Sequence, residues 1–282
     1  MITFDHDTGR AQRAVKAAER RGLPVPQQIH DTAAMVAVVL DAAHMKGPAR
    51  PGIDDVPDTP EELRALIEQA AHQQRIAAAH HQVANDYLEP LSRKFNALVR
   101  AQVKPWILGL QPEFNGLIKG AKAVAKVLPA DLDRNRVDWN DSAVTTPWTR
   151  AEGIAFQLDQ IVNDRKALAQ AGELRGEGGK DNELYAVAQL PKPTREAVVN
   201  HVMRDGIAPD IHRWRELKHE PVLRWIHLVR SPHLTIGLAT PDEVRTRAAA
   251  RDHWRDLIEV RGVAPEPTQA RLDAIDRAIV MG

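Results

Sequence analysis

A heptad pattern between Leu63 and Gln102 limits the fold of this chain more than any other sequence feature. Along it, apolar, small or polar residues recur at alternating steps of four and three, the spacing of a supercoiled helix–helix seam. The seam positions are Leu63, Ile67, Ala70, Gln74, Ala77, His81, Ala84, Leu88, Leu91, Phe95, Leu98 and Gln102. The pattern predicts a helix of about 45 residues, roughly 65 Å long, which is longer than a compact domain needs.

The centre of the seam has small and polar residues where most helix pairs have large apolar ones. Ala70, Ala77 and Ala84 are small, whereas Gln74 and His81 are polar. Small residues let two helix backbones approach closely, so we expect a partner helix here. The predicted interaction residues of the seam are Ala70, Gln74, Ala77, His81, Ala84 and Leu88.

A second set of apolar residues lies beside the seam and widens the apolar face of the helix. This set comprises Leu66, Ile76, Val83 and Tyr87. A wider face predicts a bundle of more than two helices. Pro90 should kink or divide the helix, because a proline removes one backbone hydrogen bond of the ladder.

The natural partner within the chain is a second predicted helix, from Pro147 to Ala171. Its apolar residues lie largely on one face: Trp148, Ile154, Leu158, Ile161 and Leu168. The apolar faces of the two helices predict that they form an antiparallel hairpin or bundle. A third helix is expected from about Pro112 to Leu128.

Helix-start motifs recur along the chain. Thr59-Pro60-Glu61-Glu62 and Thr240-Pro241-Asp242-Glu243 both have the pattern of a capping box with proline at the first helical position, and Thr146-Pro147 predicts a further start. Strand-like runs are confined to residues 1–4 and 233–238. We therefore predict an all-α fold.

Two segments are predicted joints between structural units. The run from Gly47 to Pro57 is rich in proline and glycine, and the run from Gly172 to Asn182 is rich in glycine and charge. The predicted units are N-terminal helices with a Pro-rich connector (1–58), a long helical hairpin or bundle with a kinked helix (59–172), and a smaller C-terminal helical domain (183–282).

Composition excludes several classes of function. The 282-residue chain has 38 Lys and Arg against 38 Asp and Glu, so it lacks the strong basic field of a non-specific nucleic-acid or membrane-surface binder. The absence of cysteine rules out disulfides, thiolate zinc sites and cysteine nucleophiles. No run is apolar enough for a membrane span or a classical signal peptide, which predicts a soluble, unexported chain in the cytoplasm or in a virion.

Histidines are the candidate metal ligands, but their spacing is poor. His80 and His81 diverge by about 100° on a helix, and His72 lies two turns from His80. Glu216-x-x-His219 resembles half of a di-iron helix motif, which needs a second copy and further carboxylates. We predict neither a metal ion nor another cofactor.

No complete catalytic motif is present either. The glycine-rich run Arg175–Asp181 lacks the first glycine and the final Ser or Thr of a phosphate-binding loop, and Glu177 would repel a phosphate. We interpret this run as a linker.

The C-terminal part interleaves arginine with three tryptophans, Trp214, Trp225 and Trp254. Such rings could stack on nucleic-acid bases, although nearby acidic residues dilute the basic field. The competing interpretation makes them core residues with arginine at the rim. We retain all three as candidate interaction residues.

These patterns favour a non-enzymatic helical structural protein that mediates protein–protein contacts, with protein partners or a homo-oligomer. A bacteriophage or prophage virion or assembly component fits this architecture. Two alternatives remain open: a helical enzyme whose His and carboxylate residues meet only in three dimensions, and a helical nucleic-acid-associated regulator.

Overall fold

The computed structural model describes residues 6–130, 139–172, 182–262 and 267–281, and the fold is all-α, as predicted. The described residues form ten α-helices, in chain order α1 (His6–Arg20), α2 (Gln27–Ala43), α3 (Pro60–Val127), α4 (Ser142–Gly172), α5 (Asn182–Tyr185), α6 (Arg195–Val199), α7 (Ala208–Glu216), α8 (Pro221–Arg230), α9 (Pro241–Arg261) and α10 (Gln269–Met281). Two strands, β1 (Ala188–Gln189) and β2 (Thr235–Ile236), pair antiparallel.

Helix α3 is a single element of 68 residues, about 100 Å long at the α-helical rise. It continues through Pro90, Pro105 and Pro112. Of the kink or division predicted at Pro90, the division does not occur, and the separate helix predicted from Pro112 is wrong. An interior proline costs roughly 3 kcal/mol. Near Pro105 and Pro112, burial of Trp106 and Phe114 offsets this cost, because each side chain is at most 1% exposed.

Helices α3 and α4 form the predicted antiparallel hairpin. Near the C-terminal end of α3, a Cβ on Gly120 would lie 3.2 Å from Ile154 of α4. Farther back along α3, a Cβ on Gly172 at the end of α4 would lie 3.2 Å from Val103. Helix α4 therefore covers α3 from about its C-terminus back to Val103.

Helix α4 begins one turn earlier than the motif Thr146-Pro147 predicted. Asp141 precedes the helix, and its Oδ1 accepts a hydrogen bond of 2.8 Å from the backbone N–H of Ala143. The Asp141 carbonyl accepts a further hydrogen bond from the N–H of Thr145. An aspartate that satisfies the free N–H groups fixes the start of the helix there.

Helix α1 packs against both α3 and α4 through a face of small residues. The face consists of Ala11, Ala14, Ala17 and Ala18, each at most 1% exposed. The helix ends at Gly22, whose φ of 62° closes the turn without a Cβ clash. The following Leu23 reaches α3 at Gly109, where an added Cβ would lie 2.8 Å from the leucine Cδ2.

The C-terminal end of α1 is fixed to α4 by charge. Arg20 and Arg21 both donate to the carboxylate of Asp164, the latter at 2.5 Å from Nε to Oδ2. Asp164 is 4% exposed. Arg21 also pairs with Glu113 of α3 at 3.0 Å, so one side chain joins α1 to both helices of the hairpin.

Helix α2 runs antiparallel along α3. Just before α2, the carbonyl of Pro24 accepts a hydrogen bond of 2.8 Å from Nε1 of Trp106. Just after α2, a Cβ on Gly47 would lie 2.7 Å from Oε1 of Gln74. The helix thus follows α3 from about Trp106 back toward Gln74.

The smaller C-terminal helices pack on the α3–α4 hairpin through α8. Trp225 of α8 contacts Phe114 edge-on at 6.1 Å between ring centroids and donates from Nε1 to Asp159 of α4 at 2.8 Å. Strand β2 lies in the predicted strand-like run 233–238, and its partner β1 was not predicted. One set of buried side chains continues from α3 and α4 into this region, and the boundary at residues 172–182 stays a prediction.

Candidate interaction surface

One end of the molecule extends beyond the α3–α4 hairpin, and we call it the arm: α2, the connector after it, and residues 60–90 of α3. Helix α4 ends beside Val103 of α3. Helix α1 begins beside Asn96 of α3, whose side chain donates a hydrogen bond to the hydroxyl of Thr8. Helix α2 packs along the arm. Most side chains of residues 60–76 are exposed.

The predicted seam residues divide between the covered and open sides of the arm. Ala77 and Ala84 are 8% and 4% exposed, and Ala70 and Leu88 are half-buried. Both buried alanines lie within the stretch of α3 that α2 follows, where small residues permit close approach. The covering helix is therefore α2, whereas the sequence had suggested the helix from Pro147.

The two polar residues at the centre of the seam are exposed. Gln74 lies against Gly47 of the connector, and Nδ1 of His81 is 3.2 Å from the side-chain nitrogen of Asn85, one turn on. Both contacts are made at the surface.

A second stripe on α3 runs beside the seam and is exposed throughout. Each member immediately precedes a seam residue, so the stripe repeats the heptad spacing about 100° around the helix. Its members are Leu66, Gln69, Gln73, Ile76, His80, Val83 and Tyr87. The side chains of Val83 and Tyr87 are 54% and 60% exposed, and none of the seven is Lys, Arg, Asp or Glu.

Helix α2 has a matching stripe of Met35, Val38 and Ala42. Met35 and Val38 are 45% and 67% exposed, whereas Ala42 is half-buried. Each member again precedes by one residue a side chain that is buried or half-buried, such as Val36 or Ala43. No residue of this stripe is charged either.

Both stripes lie on the same side of the arm. In each helix the stripe is displaced in the same rotational sense from the residues that face the other helix, by about 100°. When two helices are antiparallel, residues that precede the facing residues by one position lie on the same side of the pair. Together the two stripes form what we call the uncharged face.

Exposed apolar side chains are concentrated on the arm. Of the seventeen large apolar side chains that are exposed in the described part of the chain, eleven lie between residues 35 and 87. A concentration of exposed apolar side chains in one part of a protein often marks an interaction site. The arm is thus a candidate interaction surface.

The three C-terminal tryptophans are buried instead. Trp214, Trp225 and Trp254 are at most 4% exposed. Trp214 contacts the ring of Trp225 edge-on, and Arg224 lies 3.8 Å above the Trp214 ring. Nε1 of Trp254 donates to the carbonyl of Pro191 at 2.9 Å. Rings held in this way contribute to the core and offer no open face on which a base could stack.

A cavity of about 640 Å³ lies between α6, a π-helical turn (Met203–Ile207) and α9. His201 at its edge has a φ of 55°, a conformation rare outside glycine. Arg204, Arg251 and Arg255 also line it, together with Asp252. Arg255 pairs with Asp252 at 3.1 Å, so part of the positive charge is already neutralised.

The pKa of His201 is lowered, chiefly because partial burial disfavours the imidazolium and then because Arg204 and Arg261 are positively charged, while Asp205 acts in the opposite direction. Arg204 is held by that same Asp205, from Nε to Oδ1 at 2.7 Å. A small anion is the ligand chemistry that this cavity could accept.

One cluster has the residue types of a hydrolytic triad but not its arrangement. The hydroxyl of Ser231 donates to the carboxylate of Asp210, and Nε2 of His227 is 3.0 Å from the Asp210 carbonyl. The serine oxygen also accepts a hydrogen bond from the N–H of His233 at 3.2 Å. A serine nucleophile needs its hydroxyl on a histidine base, whereas here it is bound to the carboxylate.

The described residues contain neither a cluster of metal ligands nor a helix that could span a membrane. Within residues 6–130, 139–172, 182–262 and 267–281, no three His, Asp or Glu side chains are grouped so as to hold a metal ion. None of the helices there has both the length and the apolar composition to cross a bilayer. The glycine-rich run Arg175–Asp181 and the strand-like residues 1–4 lie outside the described residues.

Comparison with protein-family models, with curated proteins and with solved structures finds no match to this chain.

Proposed function

We propose that this protein is a non-enzymatic helical structural protein that assembles through protein–protein contacts made by its arm. The observation that carries the proposal is the uncharged face: two adjacent helices present heptad stripes without charge to solvent on the same side. A helix whose exposed side repeats the heptad pattern is typical of one that packs against further helices.

The architecture supports the same proposal. The hairpin α3–α4, with α1 and the C-terminal helices packed on it, forms a broad base, and residues 60–90 of α3 extend from it with α2. Such an arm holds a binding surface away from the base. We propose a virion or assembly component of a bacteriophage or prophage as the biological setting, either in the cytoplasm or within the particle.

Site-specific photocrosslinking in the cells that make the protein tests the proposal. A benzophenone amino acid in place of Tyr87 lies on the uncharged face, whereas the same group in place of Gln82 lies on the opposite side of the arm. We expect a discrete crosslinked product, identified by mass spectrometry, from position 87 and none from position 82. No protein product from position 87 would contradict the proposal.

The cavity beside His201 favours the enzyme as the second candidate function. Its strained histidine, its π-helical turn and its three arginines are features that cluster at ligand sites. If the chain is an enzyme on an anionic substrate, His201→Gln should abolish turnover without changing the crosslinking from position 87.

A further inference from the structure

Resting on the proposed function, we infer that the partner of the uncharged face is a second copy of this chain, so that two arms pair into a four-helix bundle. The two α2–α3 pairs face each other across a twofold axis, with the stripe of α3 and the stripe of α2 from each copy in the core. This assigns a specific occupant to the surface described above.

The size of the face agrees with a stable dimer. From Leu66 to Tyr87 the α3 stripe extends about 32 Å. The α2 stripe lies beside part of this length and the connector, with Asp55, lies beside the rest, so the surface of the arm on this side is about 20 Å wide. The footprint is thus roughly 640 Å² per copy and about 1,300 Å² in total, within the range of about 1,200–2,000 Å² for stable interfaces. The α3 stripe by itself would cover about half of this area.

The charge pattern favours self-association. In a twofold interface each surface meets its own copy, so a charged stripe would place like charges together. Neither stripe contains Lys, Arg, Asp or Glu. Among the charged residues of 60–90, Glu62 continues the α3 stripe at its N-terminal end, and the others lie elsewhere on the helix surface: Glu61, Arg64, Glu68, Arg75, Asp86 and Glu89. Asp55 of the connector lies beside the same end of the stripe.

The same charges disfavour a lipid or nucleic-acid occupant. Residues 60–90 contain two arginines, Arg64 and Arg75, against five acidic residues. A helix that lies on an anionic membrane or on phosphates carries basic residues beside its apolar face, and here the excess is acidic. The polar members of the stripes, Gln69, Gln73 and His80, suit the partly polar core of a helix bundle.

Charge insertion on the uncharged face provides the first test. Purified full-length protein should have twice the 31.3 kDa chain mass by light scattering across a concentration series. Val83→Glu and Val38→Glu should raise the dimer Kd by roughly a hundredfold, because like charges would meet in the core. Gln82→Glu and Ala37→Glu are matched controls at exposed positions outside the stripes, and they should leave the Kd unchanged.

Single cysteines provide the second test, because the natural chain has none. Ile76→Cys and Val83→Cys should form covalent dimers with a short bismaleimide, whereas Ala78→Cys and Gln82→Cys on the other side of α3 should not. All four positions are exposed, so the variants are expected to keep the fold, which circular dichroism checks.

Two results would overturn the inference, and they differ in what they say about the proposed function. If the chain stays at 31.3 kDa while position 87 crosslinks to a different protein, the homodimer is refuted and the assembly function is retained. If the protein is an oligomer whose Kd is unchanged by Val83→Glu and which crosslinks equally from both sides of α3, the contact lies outside the uncharged face and the inference is wrong. A monomer without any crosslinked partner contradicts both proposals.

Discussion

Arg230 of α8 donates two hydrogen bonds to the carbonyl oxygen of Ala125 in α3, at 2.7 Å from Nη2 and 3.2 Å from Nε. The same guanidinium donates to the carbonyls of Leu128, Pro129 and Ala130. The last carbonyls of a helix have no partners within it and carry partial negative charge. One arginine thus completes the C-terminus of the longest helix and joins it to the C-terminal region.

Arg230→Ala should therefore lower the free energy of unfolding by about 2 kcal/mol, since several carbonyls lose a charged donor. Arg230→Lys should recover part of this loss, because an ammonium keeps the charge but not the planar fork. Urea unfolding measures both. Arg93→Ala removes an exposed pair with Glu89 and serves as the control, at less than about 1 kcal/mol. Equal losses at positions 230 and 93 would refute this role.

Asp164 is the second point where one side chain holds two elements. Asp164→Asn should lower the free energy of unfolding by about 2–3 kcal/mol, because Arg21 would keep its charge at a largely buried position without its main partner. Amide exchange in α1 should accelerate more than exchange in α3. Glu113→Gln, at the exposed partner of Arg21, should cost less than about 1 kcal/mol. An unchanged exchange rate in α1 would contradict this account.

Overpacking the seam tests the contact between α2 and α3. Ala77→Trp and Ala84→Trp should each destabilise the protein by about 1–3 kcal/mol, because a large ring would force α2 away from α3. Ala79→Trp is the matched control, since Ala79 is exposed on the same helix. Thermal unfolding compares the three variants, and equal tolerance at all positions would show that α2 does not pack on the seam.

The lowered pKa of His201 predicts a pH dependence. Because its folded-state pKa lies below the unfolded value of about 6.5, any stability it contributes is present above that pH and declines as the pH falls through the folded pKa. Arg204→Gln should raise the pKa of His201, since it removes a nearby positive charge and leaves Asp205 unpaired. NMR titration of the imidazole measures the change. Arg213→Gln, in α7, should leave the pKa of His201 unchanged. A lower pKa of His201 in Arg204→Gln would contradict the effect assigned to Arg204.

Local motifs predicted helix starts where the motif contains its own hydrogen bonds. Thr240 and Glu243 form the expected capping box, with the Thr240 N–H donating to Glu243 at 2.7 Å. The helix start predicted at Thr146-Pro147 is wrong because Asp141, slightly upstream, satisfies the first N–H groups of α4. Pro90 was expected to kink or divide the helix, but α3 continues through it, so the propensity of one residue did not end the helix.

Four of the ten members of the uncharged face could be predicted. Leu66, Ile76, Val83 and Tyr87 were recognisable beside the seam because helical spacing alone places them there. The stripe on α2 could not be identified, since its significance depends on which side of α2 faces α3. Periodicity identifies the faces of a helix, but it does not say which helix covers each face.

The continuity of α3 also limits how this chain can change length. Because the arm and the base share one helix, every inserted or deleted residue between Leu88 and Val99 rotates the arm by about 100° as well as moving it by about 1.5 Å. A change of seven residues leaves the arm within about 20° of its original direction. Changes of about eleven or eighteen residues also keep its direction, because they are close to whole numbers of turns. Chains descended from the same ancestor should therefore differ in this stretch by such lengths, with the intermediate lengths missing.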